Sequence, residues 1–222
     1  MATSGTTTFN LDVDEIIDEA FSRIGQEPTS GYEAKTARRS LNLILQSLIN
    51  KGIFLWTVKL DSFTATQSTA TYTLDGDAVD VIEVYIRRSG ADNELVRISR
   101  QEYSLLPDKD AEGKPTQFFI ERFDDSVTMT LWPVPENSTD QVFFYKKTRI
   151  EDVNKSRENV EIPIRWMEWL ICELAYKLSY KRQNITPQRR VELKSMCDQA
   201  FYDAVGEEDD RTSTFLIPDT VC

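Results

Sequence analysis

Apolar residues recur along this chain with a helical period at both ends and with strict alternation in the middle. Val13, Ile16, Ile17, Phe21 and Ile24 fall on one helical face. Asp12 with Glu15 forms a capping-box pattern in front of them, and Gly25 suits the left-handed position that closes a helix. Ser30 with Glu33 repeats the start signal ahead of Ala34, Ala37, Leu41, Ile44, Leu45 and Leu48, and Gly52 is the expected stop. The link Gln26–Gly31 is short enough to set these two helices antiparallel. Near the other end, Pro163 occupies a first helical position before Ile164, Met167, Leu170, Ile171, Leu174, Ala175 and Leu178. Trp166 and Trp169 widen that stripe and place the helix centrally. Thr186-Pro187 opens a last helix with Leu193, Cys197, Ala200, Phe201 and Ala204 on its face and Gly206 at its end.

Between these segments the period changes to two. From Phe54 onward, Trp56, Val58 and Leu60 alternate with Thr57, Lys59 and Asp61, and Tyr72 and Leu74 alternate with Thr71 and Thr73. Val79–Ile86 is denser and reads as a central strand; Ser89-Gly90 marks a turn before a shorter strand over 94–98. A polar, turn-rich loop at 107–115 then leads into a hairpin. Phe118 and Ile120 run out, Asp124-Asp125-Ser126 turns, and Val127, Met129 and Leu131 return until Pro133 and Pro135 end the ladder. Val142, Phe144 and Lys146 alternate with Phe143 and Tyr145 in a final strand. The pattern predicts an α+β protein. A helical bundle from both chain ends, 10–52 and 163–206, carries an inserted antiparallel β-sandwich or barrel-like domain at 54–150.

Composition narrows the chemistry. Lys and Arg total 26 against 37 Asp and Glu, a net charge of −11, which opposes a protein that grips nucleic acid or an anionic membrane. No apolar run approaches the ~20 residues of a membrane span, and MATSGTTTF lacks the pattern of a secretory leader. Histidine is absent, which removes the commonest general base, the Ser-His and Cys-His pairs and most zinc sites. Cys172, Cys197 and Cys222 are widely spaced and read as reduced thiols. Glu102, Asp108, Asp110 and Glu112 cluster in one loop and Asp124 with Asp125 in another, without the ligand spacing of a calcium loop. Lys146, Lys147 and Arg149 read as one basic patch and Arg189 with Arg190 as another, both solvated or engaged in subunit salt bridges. Neither a catalytic residue, a metal ligand nor a cofactor is expected. From the residues alone, a carbohydrate-binding or carbohydrate-active β module built on Trp132 and the nearby carboxylates stays open, as does an assembly scaffold.

Several stretches in order carry a likeness: Trp56, DAVDVIEVYI at 77–86, ISRQEYSLLPDK at 98–109, GKPTQFFIER at 113–122, MTLWPVP at 129–135, FFYKKTRIEDV at 143–153 and IPIRWMEWLICELAYKLSYK at 162–181. From about residue 10 to 206 the chain resembles the head-to-tail adaptor family of short-tailed bacteriophages, the tail tubular protein A or portal adaptors. The resemblance implies a virion structural protein at the head–tail junction, made in the host cytoplasm. It implies a ring of twelve copies between the portal protein and a tail nozzle or tubular protein. DNA would pass through the channel without tight binding, and an acidic lining that repels phosphate fits that role.

The segment 207–222 reads as an extended C-terminal arm. The acidic run Glu207–Asp210 leaves through solvent, and Phe215, Leu216 and Ile217 form an apolar cluster that Pro218 breaks from helix and ladder. Extended, the arm reaches on the order of 50 Å at ~3.3 Å per residue. With Arg211 and Thr214 these residues are the expected portal-docking set, as the resemblance implies for such arms.

Overall fold

The computed structural model describes residues 9–27, 30–51 and 55–208. The expectations for Gly52, Phe54 and the docking residues Arg211, Thr214, Phe215, Leu216, Ile217 and Pro218 lie outside the described residues. The described chain is α+β, with helices at both ends and mostly antiparallel sheets between them. It falls into two compact units, one formed by residues up to Leu45 together with those from Glu151 onward, the other by Gln46–Ile150.

In the first unit, α1 (Val13–Ile24) begins with the capping box. Glu15 N–H donates to Asp12 Oδ1 at 2.9 Å and Asp12 N–H to Glu15 Oε2 at 3.0 Å. Gly25 closes it at φ 78°, in the left-handed region. The apolar stripe is fully buried. Helix α2 spans Gly31–Asn50, α4 Met167–Ser179 and α5 Pro187–Glu208. Helix α1 packs on α4. Tyr32, Glu33 and Thr36 of α2 line a small pocket with Phe21 of α1, and polar bonds tie α2 to later parts of the unit. Asn42 exchanges two hydrogen bonds with the backbone of Val153, both 3.0 Å, and Arg182 pairs with Glu33 at 2.6 Å. Helix α4 packs on both α1 and α5. Trp166 and Trp169 are buried and meet edge to face at 5.6 Å, with Phe201 of α5 5.7 and 5.9 Å from them.

Two helix boundaries differ from expectation. Pro163 caps a 3₁₀ turn, Ile164–Trp166, rather than opening α4, and the turn swings Ile164 outward to 55% exposure. Gly206 does not end α5, which continues through Glu208. It is exposed, with nothing near the place of its missing Cβ, and its φ is not positive, so it costs some helix propensity without breaking the ladder.

The second unit holds a four-stranded antiparallel sheet in the order β1 (Val58–Thr64), β10 (Gln141–Thr148), β3 (Ala78–Arg88), β4 (Ala91–Glu94). A second sheet runs β2 (Thr71–Thr73), β8 (Val127–Trp132), β7 (Gln117–Arg122), β5 (Val96–Ile98), with β5 parallel to β7. Val81, Val84, Ile86, Val142 and Phe144 of the first sheet share one buried cluster with Phe118, Ile120, Val127, Met129 and Leu131 of the second. The hairpin β7–β8 forms in the expected register, closed by Phe123 N–H on Ser126 O at 2.8 Å. The turn Ser89-Gly90, with φ of 53° and 81°, joins β3 to β4.

Three strand expectations need correction. In β3 the pairing jumps from Glu83↔Tyr145 to Val81↔Lys146, so Ile82 is an extra, exposed residue and the inward set skips from Val81 to Val84. In β1 the inward positions pair with Val142 and Phe144 and belong to Phe63 and Asp61; Leu60, opposite Tyr145, faces away at 52% exposure. The stretch read as one strand over 94–98 is divided: β4 and β5 join different sheets, and buried Leu95 lies between them. The loop before the hairpin is also less irregular than its polarity implies. Ser99 and Glu102 form a second capping box that starts the short helix α3 (Arg100–Leu105). Glu112–Gly113, β6, then pairs in parallel with Val134–Pro135, β9, beyond the cis bond Trp132–Pro133.

Candidate functional site

The carboxylates of the 102–112 loop serve local geometry. Glu102 caps α3, and hydrogen bonds from Ser99 hold its carboxyl below the usual range. Asp108 accepts from Asp110 N–H at 3.0 Å, and Glu112 accepts from the Ser68 hydroxyl at 2.6 Å. Trp132 is half-buried and its indole N–H donates to Asp108 O at 2.9 Å, so its polar edge is already engaged. Among the described residues no group of three or more Cys, Asp or Glu is placed to hold a metal. The thiols of Cys172 and Cys197 are buried; burial, then a hydrogen bond to Glu173 at 2.8 Å, pushes Cys197 up to about 12, which keeps it protonated and inert.

The basic patches also resolve into internal contacts. Lys146 points inward on β10, 6% exposed at its side chain, and its ammonium bonds Asp61 at 2.9 Å, Asp75 at 3.0 Å and Asp77 at 3.1 Å. Burial works against its charge, but these bonds outweigh it and raise its pKa. The expectation of a surface patch fails there because alternation puts Lys146 on the core face, where only ion pairing makes a lysine tolerable. Arg189 reaches Arg23 O at 2.8 Å and Glu192 at 3.1 Å; Arg190 reaches Ser179 O and stacks over Tyr180.

Two surface features of the helical unit are not absorbed by its interior. A groove of about 710 Å³ runs between α1 and the start of α4. Phe9, Leu11, Ile164, Met167 and Ile171 line it, with Phe9 59% exposed. Its rim carries Glu15, Asp18, Glu19 and Glu168. Arg23 clamps the two helices there, with both Nη atoms on Glu168 at 2.6 and 2.8 Å and Nε on Glu19 at 3.0 Å. Its hydrogen bonds hold the Glu168 carboxyl below the usual range. The second feature is the outer stripe of α2. Tyr32, at 77% exposure, Lys35, Arg39 and Leu43, at 61%, follow one another at helical spacing, all exposed. Apolar periodicity alone marks the buried stripe of α2; these four residues follow the same period on the opposite face.

No helix among the described residues is long and apolar enough to cross a membrane. The thiol–carboxylate pair among the described residues that is closest, Cys197 with Glu173, is buried and its thiol stays protonated. A model of the SU10 adaptor protein family matches residues 11–218, nearly the whole chain. This chain belongs to the SU10 adaptor protein family. That family is one of phage structural adaptors, not of enzymes, and it agrees with the head-to-tail adaptor resemblance drawn from the ordered motifs. Membership makes the protein a virion component that contacts other head or tail proteins. A comparison with curated proteins finds no match.

Proposed function

We propose that the protein forms a ring at the phage head–tail junction, joining the portal protein to a tail nozzle or tubular protein and enclosing part of the DNA channel. The family match over residues 11–218 carries this reading. In it, the helices of both chain ends act as one bundle, the two sheets of the middle region as a sandwich domain, and a ring of twelve copies is the expected assembly. The net charge of −11 supports a lumen that lets duplex DNA slide, since a basic lining would hold phosphate. The arm, starting beyond Glu208, anchors the ring to the portal through Arg211, Thr214, Phe215, Leu216, Ile217 and Pro218.

Co-sedimentation with portal rings, followed by imaging of the complex, tests the reading. The full chain is expected to form a ring on the portal, and the chain lacking 212–222 to keep its melting temperature while losing attachment. A protein that stays monomeric beside portal rings, or that binds duplex DNA with a submicromolar dissociation constant at physiological salt, overturns the ring-and-channel reading. Undiminished attachment of the truncated chain removes the arm as anchor.

A further inference from the structure

The groove between α1 and α4 and the outer stripe of α2 are opposite in charge and alike in apolar character. The groove has an apolar floor and a rim of four carboxylates, Glu15, Asp18, Glu19 and Glu168, against one guanidinium, Arg23. The stripe places Lys35 and Arg39 between the apolar anchors Tyr32 and Leu43, which lie about 16 Å apart at the helical rise. Neither Lys35 nor Arg39 pairs with a carboxylate among the described residues, whereas the neighbouring Arg38 is bonded to Asn154 O and Ser156. Both patches are exposed in the same copy, so neither covers the other within it.

We propose that adjacent copies join head to tail, the Tyr32–Lys35–Arg39–Leu43 stripe of one seating in the Glu15–Asp18–Glu19–Glu168 groove of the next. This rests on the ring reading above and names the contact that builds the ring. A chain of net charge −11 repels its own copies, so their contact requires local charge of opposite sign. A two-fold pairing centred on either patch alone would set carboxylates on carboxylates or cations on cations, whereas stripe on groove brings opposite charges together. Used head to tail, a contact between unlike patches leaves a free stripe at one end and a free groove at the other, and it closes into a ring where the rotation between copies is a whole fraction of a turn. The apolar residues then leave water together: Tyr32 and Leu43 from one side, Phe9 and Ile164 from the other.

Charge reversal at exposed positions tests this, with the two Arg23–Glu168 bonds of the clamp left in place. One full-length variant carries Lys35→Glu with Arg39→Glu, a second Asp18→Lys with Glu19→Lys. All four positions are exposed, and thermal melts check that each variant folds as the wild type does. In sedimentation, each variant alone is expected to stay monomeric at concentrations where the wild type assembles, with or without portal rings. An equimolar mixture is expected to assemble again, because each variant's altered patch then faces an altered patch of opposite sign. The milder pair Lys35→Gln with Arg39→Gln should weaken self-association by on the order of tenfold, less so at high salt. Variants that assemble as the wild type does, or a mixture that stays monomeric, overturn this contact and leave the ring reading standing. A wild-type chain that never self-associates, even on portal rings, overturns both.

Discussion

In the β unit whole charged side chains are buried, whereas the fully buried residues described in the helical unit are apolar and aromatic apart from the hydroxyls of Ser40 and Ser179. Lys146 sits on the core face of β10 among Asp61, Asp75 and Asp77. Asp140, 1% exposed, is gripped by Arg88 Nε at 2.8 Å. On the same unit Asp80 receives both Arg97, at 3.0 Å, and Arg122. In the helical unit Trp166, Trp169 and Leu170 fill the middle, and ion pairs such as Arg23–Glu168 stay at the groove surface. An internal ion pair adds little net stability but specifies register, because a shifted strand leaves a buried charge alone. Short strands with mixed faces need that specification. Long helices with wide apolar stripes do not, and their charged residues are left for outer surfaces.

Removing one aromatic from the helical interior should have the largest effect. Trp166→Ala deletes a fully buried ring that touches Trp169 and Phe201, and about 3–5 kcal/mol of stability should go with it. Chemical denaturation measures this; a loss below about 1 kcal/mol would mean that the site collapses freely and the contrast between units is weaker than drawn.

Lys146→Ala should cost less, about 1.5–3 kcal/mol, the range for hydrogen bonds to charged groups. The carboxylates it leaves can turn to water, since the Asp75 side chain is 74% exposed and Asp77 46%. The effect should depend on pH. The bond from Lys146, chiefly, depresses the folded pKa of Asp61, so that contribution is present above the unfolded carboxylate value of ~3.9 and disappears as pH falls through the folded one. The folded pKa of Lys146 is raised, so its contribution is present below ~10.4 and is lost as pH rises through the folded value. The stability difference between wild type and variant should therefore be widest near neutrality and narrow at both extremes. A difference independent of pH would show that packing of the lysine stem, not its charge, holds β10.

The helical half was largely legible because its signals are local. The α1 stripe, its capping box and Gly25 lie within fourteen consecutive residues, and the structure follows them. The β7–β8 hairpin was legible for the same reason. What sequence pattern could not supply was pairing between distant strands. Nothing near Ile82 marks it as a bulge; the bulge exists only in the register against Tyr145 and Lys146, some sixty residues on. Leu60 looked inward until Phe63 and Asp61 fixed the opposite face of β1. Lys146 looked like surface because three carboxylates from two other segments had to be assembled around it. As for the candidate site, the family was readable from ordered motifs, but the groove needed α1 and α4 brought together across about 150 residues of sequence.

The smallest expected effects come from the one motif the two units share. Both Asp12–Glu15 and Ser99–Glu102 are complete capping boxes, with the side chain and backbone bonds in place at each. They start different helices. The one at Asp12 begins a helix whose six apolar residues are buried, and Asp12 also bridges to Asn159. Asp12→Ala should therefore cost about 1 kcal/mol of global stability, because that helix cannot fray without opening the core. The one at Ser99 begins a six-residue helix with no buried residue, held to the sheet mainly by Tyr103 stacked on Phe119 at 5.2 Å. Ser99→Ala should leave the melting temperature unchanged and act only locally, speeding amide exchange at Glu102, whose N–H loses the Ser99 hydroxyl, while the core strands β3 and β8 keep their protection. If Ser99→Ala lowers global stability as much as Asp12→Ala does, then α3 belongs to the cooperative core of the β unit, and the division between a pinned interior and a freely opening surface element has to be redrawn there.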